Sequence, residues 1–225
     1  MSEDKAVAER LSGLRTRIVT LARAAGRDPE EIALMAVSKT HPAESVAAAL
    51  AVGQRLFGEN RLQEAEAKYP LLRQSYPDLR LHLIGPLQRN KAAAAVALFD
   101  GIETLDRPAL AETLAREIER QQRRPDIFIE VNTGEEPQKS GVLPAAADDF
   151  IAQCCDKWRL PVVGLMCIPP EEEEPSLHFA LLRDMAQRHG LKRLSMGMSA
   201  DYETAIRLGS TELRLGTAIF GARRT

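Results

Sequence analysis

Apolar positions along the chain follow two patterns that take turns. Near the start they recur at three- and four-residue steps, at Val7, Leu11, Leu14, Ile18 and Leu21. That spacing predicts an amphipathic helix, with Ser2 as its N-cap and Gly26 as its stop. After the Arg27-Asp28-Pro29 turn a single theme repeats, a short apolar run followed by a helical stretch. The runs are Leu34–Ser38, Arg55–Gly58, Leu81–Gly85, Gly101–Leu105, Asp126–Val131, Val162–Met166, Arg193–Met196 and Glu212–Leu215. The helical stretches between them are Ala43–Leu50, Asn60–Gln74, Gln88–Leu98, Arg107–Gln122, Leu143–Cys155, Pro175–His189 and Ala200–Leu208. Pro42 opens the first of these, Asp106 is the expected N-cap of the fourth, and Gly190 and Gly209 stand where C-terminal caps belong.

Eight strand-like runs alternating with helices mean a parallel sheet. It is either a closed barrel or an open doubly wound sheet. The dinucleotide fingerprint G-x-G-x-x-G is absent after the first run. Polar residues or glycines end nearly every run: Lys39, Glu59-Asn60, Gly85, Asp106, Asn132, Ser195 and Gly216-Thr217. An open sheet concentrates such residues at one switch point, whereas a barrel brings every strand end to one mouth. The expectation is therefore α/β, a single (β/α)8 TIM barrel with an extra N-terminal helix. Ala218 to Thr225 are too few for an ordinary final helix, and the N-terminal helix is the expected substitute. No Ser/Gly linker or composition break divides residues 1–225, so one domain is expected.

Composition narrows the partners. Lys+Arg 30 against Asp+Glu 32 gives a net charge of −2, and aromatics make up 4%. Neither supports a nucleic-acid partner. No apolar run approaches the roughly 18 residues of a membrane span. The acidic start Met1-Ser2-Glu3-Asp4-Lys5 lacks a signal-peptide core. Cys154, Cys155 and Cys167 form neither a disulfide framework nor a zinc spacing. A cytoplasmic monomer with reduced thiols is expected.

The candidate chemistry lies at the run ends. Lys39 follows the first run, where a partly desolvated amine can lose its proton and form a Schiff base. The alternative is an ordinary strand-end lysine reaching into water. Leu194-Ser195-Met196-Gly197-Met198-Ser199-Ala200-Asp201-Tyr202 ends the seventh run, with a helix expected to open at Ser199. With Gly216-Thr217 after the eighth run, it forms the pair of loops that usually cradles phosphate in barrels. Ser199 as a plain N-cap is the competing reading. Arg214 alternates with Leu213 and Leu215 inside the last run, as a pocket cation or as the partner of Glu212 or another carboxylate. Asn60 is read as a ligand contact or a helix cap, and His82 as a core histidine. His41, His178 and His189 have no metal-ligand spacing. Gly134 to Gly141 is rejected as a nucleotide loop, because Pro137 removes an N–H the cradle needs. No serine triad is legible.

A lysine after strand one, a phosphate cradle after strands seven and eight, and an arginine in strand eight form a recognisable set. The matching stretches are Ala36-Val37-Ser38-Lys39-Thr40, Phe57-Gly58-Glu59-Asn60, Ile84-Gly85-Pro86-Leu87-Gln88-Arg89-Asn90-Lys91 and Val131-Asn132-Thr133. Gly164-Leu165-Met166, Leu194 through Ser199, and Arg214-Leu215-Gly216-Thr217-Ala218-Ile219-Phe220-Gly221 complete them. On these the chain resembles the pyridoxal phosphate homeostasis protein family, also called the proline synthase co-transcribed bacterial homologue family. The resemblance implies a barrel like the alanine racemase N-terminal domain, with pyridoxal 5′-phosphate held as an aldimine on Lys39. It implies phosphate contacts at Ser199, Gly216 and Thr217, Arg214 facing the pyridine nitrogen, and Asn60 among the cofactor-binding residues. It implies a carrier and regulator of the vitamin B6 pool with no firmly assigned turnover. An amino-acid racemase using the same lysine is the alternative. Alanine racemases take a second base from a second domain, which these 225 residues are not expected to build. A third reading is a barrel enzyme binding a phosphorylated metabolite with Lys39 unmodified. Pro86 and the Gly134–Gly141 stretch are given no role.

Overall fold

The computed structural model describes residues 3–221, and these form a closed barrel of eight parallel strands in sequential order. The strands are β1 (Ala33–Val37), β2 (Leu56–Glu59), β3 (Arg80–Leu83), β4 (Gly101–Leu105), β5 (Asp126–Glu130), β6 (Val162–Met166), β7 (Arg193–Ser195) and β8 (Glu212–Leu215). The helices are α1 (Glu3–Ala24), α2 (Ala43–Ala51), α3 (Leu62–Ser75), α4 (Ala92–Leu98), α5 (Pro108–Gln121), α6 (Pro144–Ala152), α7 (Pro175–Arg188), α8 (Tyr202–Arg207) and α9 (Thr217–Phe220). Every expected run is a strand, displaced by two residues at most at either end. Ser2, expected as a cap, lies outside the described residues.

Outward-facing strand residues such as Phe57, Leu81, Ile102, Ile127, Leu165 and Leu213 join the helices in one continuous apolar core. The seam closes where β1 pairs with β8, Met35 opposite Arg214 and Ala36 opposite Leu215. α9 has four residues, too short to cover that seam. α1 covers it instead, packing on α2, α8 and α9. Val7 and Leu11 are fully buried, and Arg10 Nε donates to the Ile219 carbonyl at 2.6 Å. Gly26, at φ +69°, ends α1 as expected.

Several helix starts fall later than the hydrophobic pattern indicates. α5 begins at Pro108, with Arg107 extended (φ −157°, ψ 150°) at the N-cap. Proline suits the first helical position and pushes the residue before it out of helical conformation. Asp106 is therefore not the cap and pairs with the Arg107 side chain. The same rule starts α6 at Pro144 and α7 at Pro175. Glu174, from the acidic run, caps α7 by accepting from the Ser176 N–H. Gln88–Leu98 divides into a 3-10 turn, Arg89–Lys91, and α4. Leu143–Cys155 runs through α6 into a π-helical segment, Gln153–Lys157.

If α1 is part of the closed barrel, Leu11→Ala should cost what a core truncation costs, about 2–5 kcal/mol. Urea unfolding measures it. A change within about 0.5 kcal/mol, as at a surface position, would make α1 an appendage.

Candidate active site

The barrel interior is polar, and that feature positions the site. Glu103 on β4 accepts from Ser195 Oγ on β7 at 2.5 Å, although those strands are not neighbours. The bond can only run across the interior. Arg214 on β8 donates from Nη1 to Ser195 Oγ at 2.6 Å and from Nη2 to the Cys167 carbonyl at 2.8 Å. Glu103 also accepts from His82 Nδ1 at 2.7 Å. Glu212 faces the same His82 nitrogen at 3.7 Å and accepts a hydrogen bond from Arg193 Nε at 2.7 Å. Arg193 and Arg80 then share Asp126. The chain of contacts runs from the mouth, where strands end, to the opposite face.

Burial opposes ionisation of Glu103, but its hydrogen bond to His82 and the charges of His82 and Arg214 outweigh it, so its pKa is lowered. Burial and the nearby Glu103 raise Glu212. Arg214 is 4% exposed and, among the described residues, pairs with neither Glu212 nor another carboxylate within ion-pair distance. Glu212 is already committed to Arg193. His82 is a buried core histidine as expected, though its Nε2 has no partner.

Lys39 stands at the mouth, half-buried in a turn from Ser38 to His41 closed by His41 N–H to the Ser38 carbonyl. The next residue, Thr40, has φ +67°. A second lysine, Lys68 on α3, is buried beneath this turn. Its Nζ lies 2.9 Å from the Ser38 carbonyl, 3.0 Å from that of His41, 2.9 Å from Glu64 Oε1 and 2.5 Å from Glu59 Oε1. Ser38 Oγ donates to Glu59 at 2.8 Å, so the 2.6 Å contact with Tyr69 must have the phenol as donor. Burial pushes the Glu59 carboxyl up, against the pull of Lys68 and Ser38. Burial and Glu59 hold the Tyr69 phenol well above its usual range. Glu64, Lys68 and Tyr69 escape a sequence reading because on α3 they form an ordinary helical i, i+4 pair with a neighbouring aromatic.

Ser199, Gly216 and Thr217 share the mouth with Lys39, and strand pairing is the reason. β8 lies between β1 and β7. A Cβ added to Gly216 would lie 3.2 Å from the Val37 carbonyl oxygen, two residues before Lys39. The His41 ring packs on Phe220 of α9 with centroids 4.9 Å apart. Gly197 has φ +99°, and a Cβ there would lie 2.6 Å from Ala205, so this turn requires glycine. Ser199 does not open a helix. Asp201 Oδ1 takes the Met198 N–H at 2.6 Å, forming a turn over residues 198–201, and α8 starts only at Tyr202. Ser199 is exposed, and among the described residues the backbone N–H groups of Ser199 and Ala200 make no hydrogen bond within the protein. Thr217 and Ala218 begin α9, where N–H groups lack a partner in their own helix.

Asn60 is not a cap either, since α3 begins at Leu62 with Arg61 before it. It lies at the end of β2 against Gly85 after β3, where a Cβ would fall 2.2 Å from the Asn60 carbonyl oxygen. Glu130 at the end of β5 was not singled out by the sequence. It is 8% exposed, and burial and Asp106, partly offset by Arg214, raise its pKa to about 7. Asn132 folds the following loop on itself, bonding both the carbonyl and the N–H of Glu136. The Cys167 thiol is pushed up to about 12 by burial. A cleft of about 710 Å³ lies at the other end of the barrel, among Arg27, Arg80, Arg193 and Glu212. All four already take part in ion pairs. No helix among the described residues is long and apolar enough to cross a membrane.

Comparison with known proteins gives the family and supports the fold. Residues 10–224 match the family described as alanine racemase, N-terminal domain. The pyridoxal phosphate homeostasis protein of Escherichia coli K12 is 41% identical, over 96% of this chain and 97% of that one. The protein of the same name from Pseudomonas aeruginosa is also 41% identical, over 96% of each. Among solved structures, PipY of Synechococcus elongatus PCC7942, with PLP bound, is 38% identical with a TM-score of 0.83, covering 96% of this chain and all of that one. An alanine racemase from Corynebacterium glutamicum shares the fold at 21% identity, with a TM-score of 0.66 and 60% of its length matched. On the family match, the identity and the shared barrel, the chain belongs to the pyridoxal phosphate homeostasis protein family.

Proposed function

We propose that this chain binds pyridoxal 5′-phosphate through a Schiff base on Lys39 and helps keep the intracellular vitamin B6 pool in balance, without fast turnover. The observation that carries the reading is the β1–β8 seam, which sets the end of β1, before Lys39, beside Gly216 after β8. The residues fit the cofactor. An amine after β1, a buried cation on β8 and, among the described residues, unpaired N–H groups at Ser199 and Ala200 after β7 lie at one end of the barrel. The relatives' shared name and the PLP-bound PipY support it.

The bound cofactor would supply an aldehyde carbon and an electron-withdrawing ring. Lys39 would supply the amine that adds to that carbon, with a C=N bond formed and one water released. Ser199, Gly216 and Thr217 hold the phosphate through hydroxyl and N–H donors, and Asn60 offers an amide at the neighbouring strand end. Arg214 would face the ring nitrogen, where a guanidinium disfavours a protonated ring and a carboxylate would promote one. The proposed unit is the single barrel of residues 1–225, acting as a monomer in the cytoplasm. The racemase reading is favoured by the family match alone.

Three outcomes test these assignments. Borohydride should fix pyridoxyl mass on the peptide containing Lys39, with none on a Lys39→Ala variant; label on Lys91 or Lys139 would refute the assignment. Deuterium uptake at the α-carbon of L-alanine in heavy water should be negligible. Lysine-dependent exchange at roughly one per second or faster, as for an enzyme, would favour the racemase.

The third concerns Glu130. Its pKa is 4.5 ordinarily and about 7 in the fold. Between those values the folded state binds the proton that the unfolded state has released. Stability of the cofactor-free protein should therefore fall as pH rises through that window. Glu130→Gln should flatten the decline in urea melts taken from pH 5 to 8. An unchanged slope would show that Glu130 ionises normally.

A further inference from the structure

We infer that Glu64, Lys68, Glu59 and Tyr69 are positioning residues for Lys39, a clamp from α3 and β2 that aims the amine at the incoming aldehyde. The inference rests on the reading of Lys39 as the residue that captures the cofactor.

The turn that carries Lys39 is held at most of its polar groups. Glu64 Oε1 accepts the Thr40 N–H at 2.5 Å. Lys68 binds the carbonyls on either side, those of Ser38 and His41. Glu59 and Tyr69 fix the Ser38 hydroxyl. Thr40 pays for this with a left-handed backbone at φ +67°. A β-branched residue rarely adopts that conformation, and it persists only where surrounding contacts over-determine it. The clamp is that set of contacts, and it is itself anchored. Tyr69 is fully buried and meets the Phe57 ring edge-on at 6.1 Å. Lys68 is 8% exposed, and its ammonium is committed to two carboxylates and two carbonyls.

In capture, the Lys39 nitrogen adds to the aldehyde carbon, a proton passes from nitrogen to oxygen, and water leaves as C=N forms. The step is sensitive to approach geometry, and a misplacement of about 1 Å is worth roughly a hundredfold. Pyridoxine 5′-phosphate has the same ring and phosphate with an alcohol in place of the aldehyde. It uses the phosphate loops without the covalent step.

The experiment is equilibrium dialysis of both phosphates against the wild type, Glu64→Ala and Lys68→Met. Glu64 is partly exposed, so Glu64→Ala leaves the buried Glu59–Lys68 pair in place and should fold. It should weaken pyridoxal 5′-phosphate binding about tenfold, the loss of one charge-assisted hydrogen bond, and leave pyridoxine 5′-phosphate within about twofold. Lys68→Met, if it folds, should show a larger selective loss. Equal losses for both ligands, or no loss of the aldehyde, overturn the clamp. A wild type that shows no preference for the aldehyde overturns the Lys39 reading and the inference with it.

Discussion

The interior of this barrel must hold charge, and every charge it holds must find a partner. Moving an ion out of water is far more costly than any one contact repays unless geometry and further hydrogen bonds compensate. Glu103 is the centre of that compensation. Fully buried, it accepts hydrogen bonds from His82 on β3 and Ser195 on β7, and Ser195 in turn accepts from Arg214 on β8. Three strands are thereby tied to one carboxylate. Removing it would leave the Ser195–Arg214 pair without its acceptor, a loss of the size seen when a buried ion pair is broken, about 3–5 kcal/mol. The same contacts leave Arg214 little freedom of rotamer, so the cation reaches the mouth already oriented.

Closure supplies the other half of the site. Lys39 and Thr217 are far apart in sequence, and neither is informative alone. They come to one seam because β1 pairs with β8, and α1 covers that seam by packing on α2, α8 and α9. The core contacts of Val7 and Leu11 therefore act on the site at a distance. They help hold α1 over the seam where β1 meets β8. The same logic explains the strand-end glycines. At Gly85 and Gly216 a side chain would press on the backbone of the neighbouring strand end.

The elements were legible because parallel strands buried on both faces read as short apolar runs, and each ended in a residue that could not continue the run. The mouth was legible for the same reason, since Lys39, Asn60, Arg214 and Thr217 are such terminators or interruptions. What stayed hidden was decided by partners distant in sequence. Glu103 and Ser195 are 92 positions apart, and no local pattern joins them. The start of α8 was misplaced because Asp201 reaches back to Met198 and forms a turn where helical spacing begins. The start of α5 was misplaced by one residue although Pro108 marked it, because an acidic residue two places earlier resembled a cap.

The structure also distinguishes two amines that composition treats alike. Lys39 is carried by the turn whose Ser38 and His41 carbonyls Lys68 binds. Chemistry at an ammonium requires that it shed a proton, and every anion close to it opposes that. Lys68 has two carboxylates within 3 Å and two carbonyls besides. Its charge is what neutralises buried Glu59, and a neutral Lys68 would leave that carboxylate unpaired among Ser38 and Tyr69. Lys39 is half-buried at the mouth. Packing thus gives Lys68 a structural part: through the Ser38 and His41 carbonyls it holds the turn that carries Lys39.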